Sequence, residues 1–595
     1  MKKISSIISF LCLLILSSCD SDFLERYPKT EITEKEFFNN VTDLQTYTNG
    51  YYTYIGASYE DTGSDNISLH NGTNTMDQVV MGNVSSSNLS SNINNWSWTA
   101  LRRFNFFMQN YEKAEGAQAD INHYVGITRF FRAKFYFDKV KSYSDVPWYD
   151  MPLDNDDEAL YKPADSRAFV MDKVLEDLEY AVANIKPEIK TRTRINKYAA
   201  LTLMARVCLF EGTYRKYHSE IGLSDYNRFL EKAAWAAEEI MNSGEFEIAA
   251  VYEDLFHSNK LDTNDEIILQ AASDKELGVT NNTHSVLNWQ WSLSRSLMES
   301  YLMKDGTPFT KQDGYQKKTY LEVFVDRDPR FAQTFCYPGF KQSPEDKAEL
   351  PGIKFGGYGQ IKYFPKLREQ RGGWGMNYTS LPIYRLGEVL LIYAEAKAEL
   401  GTLTQSDIDR TINVLRDRVE MPHLNMATAN ANVDPVLAAY YPNVSGANLG
   451  TLLEIRRERR VELACEGLRG EDLKRWGAGD HFADNNQGIY ISYLGAYDMT
   501  GDGEPDLAIL ASPSDLGPIS NLTEDQKSKL VYYYLKNSGG TDEGFYLTEG
   551  DKGHVGFTAY QKNPRKFVTP KHYYLPIPKQ QTMLNPQLTQ PYGWD

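Results

Sequence analysis

Apolar residues return along this chain at three- and four-residue steps. Phe130, Ala133, Phe137 and Val140 mark one such stripe, and Ala200, Met204, Val207 and Cys208 mark a second. A third runs through Leu386, Leu390, Tyr393, Ala394 and Ala398 and stops at Gly401. That period puts apolar side chains on one face of a helix, and a glycine after the last turn suits the left-handed cap that ends it. The same reading predicts helices over about 34–55, 98–116, 120–141, 166–186, 196–215, 226–243, 405–418 and 449–466. Many form pairs with short connections. A helix pair leaves an apolar face open until another stacks on it, so the pattern predicts a mostly α protein built from tetratricopeptide-like helix pairs.

Between these windows the helical period fades. Residues 61–98, 258–380 and 478–550 are rich in Gly, Asn and aromatic residues. Loops of that length in a compact domain usually carry function. No Pro/Ser or Gly/Ser linker divides the chain. The expectation is one unit over 19–595, with a helical scaffold at about 34–257 and 381–476. A large loop-rich irregular lobe containing short strands comes from 61–98, 258–380 and 478–550.

The first residues bear on compartment. Lys2 and Lys3 precede an apolar stretch from Ile4 to Leu16, which ends in Ser17, Ser18 and Cys19. The stretch is too short to span a bilayer core, which takes about 20 apolar residues, and has the three-part layout of a secretory signal. Leu16-Ser17-Ser18-Cys19 resembles a bacterial lipobox. The resemblance implies removal of 1–18 as a signal peptide and lipidation of Cys19. A plain signal peptide cleaved near Ser18 is the alternative. Removing 1–18 takes away two lysines and no acid, so the formal charge moves from −17 to −19. Asp20 and Asp22 resemble a surface-export signal of some Gram-negative lipoproteins. A surface-exposed protein, lipid-anchored in the outer membrane, is the expectation.

Composition narrows the function. A net charge of −17 and a pI near 5.2 make a poor partner for nucleic acid, whose phosphates select basic surfaces. Of five cysteines, Cys208, Cys336 and Cys465 remain after the signal and the anchor, and no CxxC or Cys/His spacing offers a zinc site. Forty of the 76 aromatic residues are Tyr; a ring with a polar tip suits packed helices and binding surfaces alike. HExxH, GxSxG, P-loop and GxGxxG motifs are all missing, so no catalytic residues are assigned.

Two loops combine aromatics with planar polar groups, the pairing that stacks on sugar rings and reads hydroxyls. One holds Asn95, Trp96 and Trp98, with Asp77 and Gln78 upstream. The other is Asn288-Trp289-Gln290-Trp291, followed by Arg295. In an extended segment residues two apart face one side, so each Trp pair would form one stacking face. The competing reading makes these Trp anchors of loops onto the helices. Trp374, among Gly372, Gly373 and Gly375, is a third candidate. The run Asp498-Met499-Thr500-Gly501-Asp502-Gly503-Glu504-Pro505-Asp506 resembles a short extracellular calcium loop, with Asp498, Thr500, Asp502, Glu504 and Asp506 as oxygen ligands. An Asp/Gly-rich hairpin turn is the alternative.

Five segments, in order, carry a family resemblance. Ser18-Cys19-Asp20-Ser21-Asp22-Phe23-Leu24 with Pro28 opens it. Arg132-Ala133, Tyr136-Phe137 and Tyr143-Ser144-Asp145-Val146-Pro147 follow, with Ser144 where glycine is usual. Then come Pro382 to Leu391 with Ala394-Glu395-Ala396, and Glu458-Arg459-Arg460 to Asp472-Leu473 and Arg475-Trp476. Leu575-Pro576-Ile577-Pro578, Asn585-Pro586 and Gly593-Trp594 close it. Together they resemble the SusD/RagB family of nutrient-binding lipoproteins. The resemblance implies a non-enzymatic cell-surface protein that captures an oligosaccharide and delivers it to a SusC-like TonB-dependent outer-membrane transporter. A lipid-anchored glycoside hydrolase and a peptide- or glycoprotein-binding member of the family are the alternatives. Read from the residues alone, the motifs are structural. Glu458, Arg459, Arg460, Glu462 and Glu466 stand at helical spacings that pair opposite charges on one solvated or inter-helix face, and Arg132 and Glu388 have the same role.

Overall fold

The computed structural model describes residues 37–69, 74–91, 93–154, 156–287, 289 and 291–594. Cys19, the signal segment, Asn288 and Gln290 lie outside the described residues. The protein is mostly helical. The helices that matter here are α1 (Val41–Asn49), α2 (Thr75–Val80), α3 (Thr99–Asn110), α4 (Gln118–Tyr143), α5 (Arg167–Asn184), α6 (Lys197–Tyr217) and α7 (Tyr226–Met241). After them come α8 (Arg295–Ser300), α9 (Leu386–Glu399), α10 (Leu449–Glu462), α11 (Arg469–Arg475) and α12 (Lys579–Leu584). Side chains cap several starts: Ser166 accepts from the Phe169 amide at 3.3 Å, and Asn196 from Ala199 at 2.9 Å. Gly401 ends α9 at φ 72°, as its position after the stripe requires. None of the described helices is long and apolar enough to cross a membrane.

The helices pack in series. α3 lies on α4, α4 on α5, α5 on α6, α6 on α7, α7 on α9, and α9 on α10. This is the stacked helix-pair arrangement that the stripes call for. The window 405–418 divides into Gln405–Asp409 and Ile412–Asp417, because Thr411 leaves helical geometry at φ −128°, ψ −87°. The window 449–466 stops at Glu462, and Cys465 and Gly467 turn the chain through positive φ.

The loop-rich segments are threaded by short strands. β1 (Ile67–Leu69) pairs with β3 (Trp291–Leu293), antiparallel, with Leu69 opposite Trp291. β2 (Ile267–Ala271) pairs with β4 (Leu381–Arg385). β6 (Gly495–Tyr497) and β7 (Leu507–Leu510) form a hairpin whose other edge takes β8 (Val531–Tyr534) in parallel. β5 (Tyr490–Ile491), β10 (Gly553–Phe557) and β9 (Phe545–Leu547) make a third small sheet. One apolar core fills the helical scaffold. A second, containing Phe256, Tyr301, Phe331, Ile353 and Ile509, lies under the loop-rich segments. The 61–98 segment divides between them: Val79, Val84, Ile93 and Trp96 join the helical core and Ile67 the other.

The charged signature around Arg456–Glu466 is buried, not a solvated face. Arg456 reaches Glu399 at 3.3 Å, Arg457 Asp434 at 2.5 Å, Arg459 Asp472 at 2.8 Å and Arg460 Asp65 at 3.0 Å. Of these four arginines only Arg457 also pairs within its helix, with Glu454 at 3.2 Å. The arginines tie α10 to elements around it, because a buried charge has to find a partner wherever one lies. Arg132 with Asp177 and Glu388 with Arg206, each at 2.7 Å, are inter-helix pairs. The cysteines 208, 336 and 465 are free and buried, and burial pushes their thiols up.

Candidate functional site

The structure brings together two of the tryptophans that sequence singled out in separate segments. Trp289 and Trp374 meet edge to face, centroids 5.5 Å apart and planes at 82°. Both are open to solvent, 45% and 60% exposed. His284 makes the other ring contact with Trp374, at 5.5 Å and 81°. Large indoles at this exposure are costly in water unless they serve a surface contact.

Buried polar groups hold this corner in place. Asn281 and Asn377 pair as a β-bridge, and the Asn281 side chain donates to the Thr379 carbonyl at 2.7 Å. Asn377 Oδ1 accepts from the His284 amide at 3.2 Å and from His284 Nδ1 at 2.7 Å. Gln370 accepts from the Tyr378 amide at 3.0 Å and donates to Asn259 at 2.9 Å. The turn that carries Trp374 needs its glycines: Gly373 and Gly375 have φ 147° and 73°, and the Gly375 amide donates to Asn282 Oδ1 at 2.8 Å. Tyr378 donates to Glu369 at 3.0 Å. Leu277, Val279 and Met376 stand exposed in the same two segments. Sequence reasoning missed His284, Gln370 and Asn377. They lie up to 93 residues apart in their hydrogen bonds, so no local spacing signals them.

The other candidate tryptophans turn inward. Trp291 opens β3, and its ring packs among the residues of the second core while Trp289 stays outside. The two do not share a face, because the chain enters the ladder between them. Trp96 and Trp98 meet at 80°, so they do not form one stacking plane either. Trp96 is only 7% exposed and lies 4.7 Å from the Tyr143 ring; Trp98 packs on Phe135, Tyr136 and Tyr149. These rings anchor the loop on α4. No ring contact among the described residues joins this pair to Trp289 and Trp374.

The remaining candidates are engaged elsewhere. Asp77 is buried and pairs with Arg565 at 2.5 Å; burial raises its carboxyl more than Arg565 lowers it. Asn95 donates to Ser142 at 3.0 Å and faces a polar cleft of about 710 Å³ between the 61–95 segment and α11. Arg295 pairs with Glu299 at 2.7 Å and with His554. Asp498 accepts from the Gly501 and Gly503 amides at 2.6 and 2.8 Å, and Asp506 from Met499 and Thr500 at 2.8 and 2.9 Å. Asp502 caps the Glu504 amide at 2.9 Å, and Glu504 accepts from Gln526 at 3.2 Å. The Thr500 hydroxyl is buried without a partner. The segment is the connection of the β6–β7 hairpin, with its carboxylates serving its own backbone. Among the described residues no three His, Cys, Asp or Glu side chains come together to hold a metal ion.

Comparison with known proteins settles the lineage. The family model described as the SusD family matches residues 259–594. The chain belongs to the SusD family. Two SusD-like proteins of Formosa agariphila are each 23% identical, over 540 and 517 residues, spanning 80% of this chain and 90% and 92% of theirs. A SusD-like carbohydrate binding protein from Bacteroides fragilis shares the fold at a TM-score of 0.65 and 22% identity, covering 93% of this chain and all of its own. A laminarin binding SusD-like protein does so at 0.58 and 16%, with the same coverage. The SusD-family match includes the Trp374 turn and β3, and the helical scaffold before residue 259 is shared with the solved structures.

Proposed function

We propose that this protein is a cell-surface glycan-binding protein that captures an oligosaccharide and passes it to a SusC-like TonB-dependent outer-membrane transporter. The observation that carries the reading is the exposed corner of Trp289 and Trp374. Two indoles at right angles offer apolar faces to successive sugar rings, and the rim supplies the His284 ring and the Glu369–Tyr378 pair for hydroxyls. Membership of the SusD family and the carbohydrate-binding relatives support the same class. The work is binding and release, with no bond made or broken. Acylation of Cys19 would keep the protein at the outer membrane, next to the transporter.

Titration calorimetry against a panel of oligosaccharides tests the reading. Trp374→Ala and Trp289→Ala are each expected to weaken the bound glycan about tenfold or more, which is roughly 1.4 kcal/mol. A glycan that binds both variants as well as the parent would remove the site. Cleaved products in the cell would replace binding with hydrolysis, and binding of peptides alone would move the ligand class. Cys19→Ser is expected to release the protein from membranes, and co-purification of a TonB-dependent transporter tests the partner.

A further inference from the structure

The polar cleft of about 710 Å³ that Asn95 faces shares no residue with the Trp289–Trp374 corner. The 61–95 segment makes one wall, and α4 and α11 face it. A chain of ion pairs runs along the helical side. Lys134 meets Asp138 at 2.8 Å, Asp138 meets Lys141 at 2.9 Å, and Lys141 meets Glu471 at 2.5 Å. The chain stops there. Lys474, one turn further along α11, also lines the cleft. Its ammonium has no hydrogen bond or ion pair among the described residues, and it is not one of the polar atoms sealed from water.

An ammonium so placed lacks a counter-ion. Burial, and then Lys141, whose repulsion outweighs the attraction of Glu471, push the Lys474 amine down to about 8. It still carries its charge at pH 7. The carboxylates of the cleft are engaged elsewhere. Lys134 and Lys141 hold Asp138 and Glu471, and buried Asp61 turns its two oxygens to the Cys465 and Gly467 amides at 2.7 and 2.9 Å. The acidic charge of the whole chain acts at longer range and is screened over about 8 Å at physiological salt, so the local balance decides. The opposite wall offers open hydrogen-bonding groups. The Thr75 and Ser90 hydroxyls and Asn95 Oδ1 make no hydrogen bond among the described residues.

We propose that this cleft is a second binding site, for an acidic sugar unit whose carboxylate or sulfate group accepts from Lys474 while its ring hydroxyls meet Asn95, Thr75 and Ser90. The walls select this class on three counts. An oxyanion on an ammonium makes a charge-assisted hydrogen bond, the strong kind, and a neutral sugar would leave Lys474 without it. A bare inorganic anion would satisfy Lys474 and leave the facing hydroxyls and amide unused. An apolar ligand would cover polar groups without pairing them, which is costly. The site lies apart from the Trp289–Trp374 corner and stands or falls separately from the reading of that corner.

Calorimetry on the full mature chain tests it with two kinds of probe. Trigalacturonate and triglucuronate carry carboxylates, and a sulfated galactan tetrasaccharide carries sulfate esters. The methyl esters of the first two and the desulfated form of the third are their neutral counterparts. An acidic probe is expected to bind, its neutral counterpart at least tenfold more weakly, and the kind that binds tells carboxylate from sulfate. Lys474→Met removes a charge that has no partner to strand, so the melting temperature is expected to hold, and the acidic probe to be lost at least tenfold. Ser90→Trp, at an exposed position, fills the cleft and is expected to give the same loss. Trp374→Ala is expected to keep the acidic probe within twofold. The proposal is overturned if no acidic probe binds, if the neutral counterparts bind as well, or if Lys474→Met keeps the affinity. Displacement of the probe by acetate or phosphate at equal concentration, or its loss in Trp374→Ala instead, would overturn it too.

Discussion

Arg385, at the end of β4, donates through Nη1 to Glu462 Oε1 at 2.8 Å, at the end of α10 and out of reach of water. Glu462 also receives Arg418 at 2.6 Å and Arg330 at 2.9 Å. Arg385 in turn grips Glu466 with two nitrogens at 2.7 and 2.8 Å and Glu266 at 2.7 Å. This network joins the helical scaffold to the loop-rich segments. Glu462→Gln leaves three buried guanidinium groups short of one negative charge. Removing one partner of a buried pair costs about 3–5 kcal/mol. Urea denaturation is expected to show a loss of that size; an unmoved midpoint would mean the network relaxes around the amide.

The same network sets the acid limit of the fold. Burial alone would raise the carboxyl of Glu462, but Arg418, Arg385 and Arg330 hold it well below its ordinary 4.5. Glu466, Glu395, Glu211, Asp472 and Asp65 are likewise lowered, against burial, by the arginines or lysines beside them. A carboxyl depressed in the folded state stabilises above its unfolded value and loses that contribution as pH falls through the folded one. Asp61 and Asp77, raised by burial, act in the opposite sense. The lowered groups outnumber them, so Tm is expected to hold from pH 7 to about 5 and to fall steeply below about 4.5. A Tm that rises on acidification below pH 4 would contradict this.

Trp96 and Trp374 should separate stability from binding. Trp96 is packed on Tyr143 and Trp98 in the helical core. Trp96→Ala is expected to cost about 3–5 kcal/mol, the range for a buried aromatic truncation, while glycan affinity at 25 °C stays within twofold. Trp374→Ala, on an exposed ring, is expected to do the reverse. Thermal melts and calorimetry on both proteins decide, and loss of glycan binding in Trp96→Ala with its fold intact would return the ligand to that loop.

The helices were legible because burial imposes a period, and the glycine at 401 marks an end that the structure keeps. The ordered motifs were legible as lineage. What the motifs do was only half legible. Spacing shows Glu458 and Arg459 as helical neighbours, but it does not show that Arg459 turns to Asp472 or that Arg330 crosses from the other lobe. The site fared likewise. Trp289, Trp291, Trp96 and Trp98 are alike by alternation, and what separates them is the point where β3 enters its ladder and the presence of α4 behind the Trp96 loop. The pairing of Trp289 with Trp374, 85 positions apart by their numbering, is a tertiary fact. Nothing local encodes it beyond the Gly373 and Gly375 turn.

The Asp498–Asp506 hairpin is expected to be self-sufficient. Two carboxylates already take four backbone amides, and Gly501 and Gly503 supply φ of 81° and 91° for the turn. Asp506→Ala is expected to lower stability by about 1–2 kcal/mol, the cost of amides left without an acceptor. Millimolar calcium and its chelation are expected to leave Tm unchanged. A rise with calcium, reversed by chelator and absent in Asp506→Ala, would show that the loop reorganises around the ion.

Ser144 follows α4 with φ 65° and ψ −83°, a backbone region where a Cβ is strained. Its amide still caps the helix on the Val140 carbonyl at 2.9 Å, so the geometry is imposed by the turn into Asp145-Val146-Pro147. That turn is well tied down, because Val146 bridges to Asp165 and Asp145 accepts from the Arg167 amide at 2.7 Å. A glycine at this position removes the strain but adds freedom to the unfolded chain, and the two effects oppose. Positive φ costs an L-residue about 1–2 kcal/mol, and glycine gives back up to about 1 kcal/mol. Ser144→Gly is therefore expected to stabilise the protein by some tenths to about 1 kcal/mol. A higher urea midpoint at unchanged slope is the signature. A lower midpoint would mean that serine's side chain holds this turn better than the backbone argument allows.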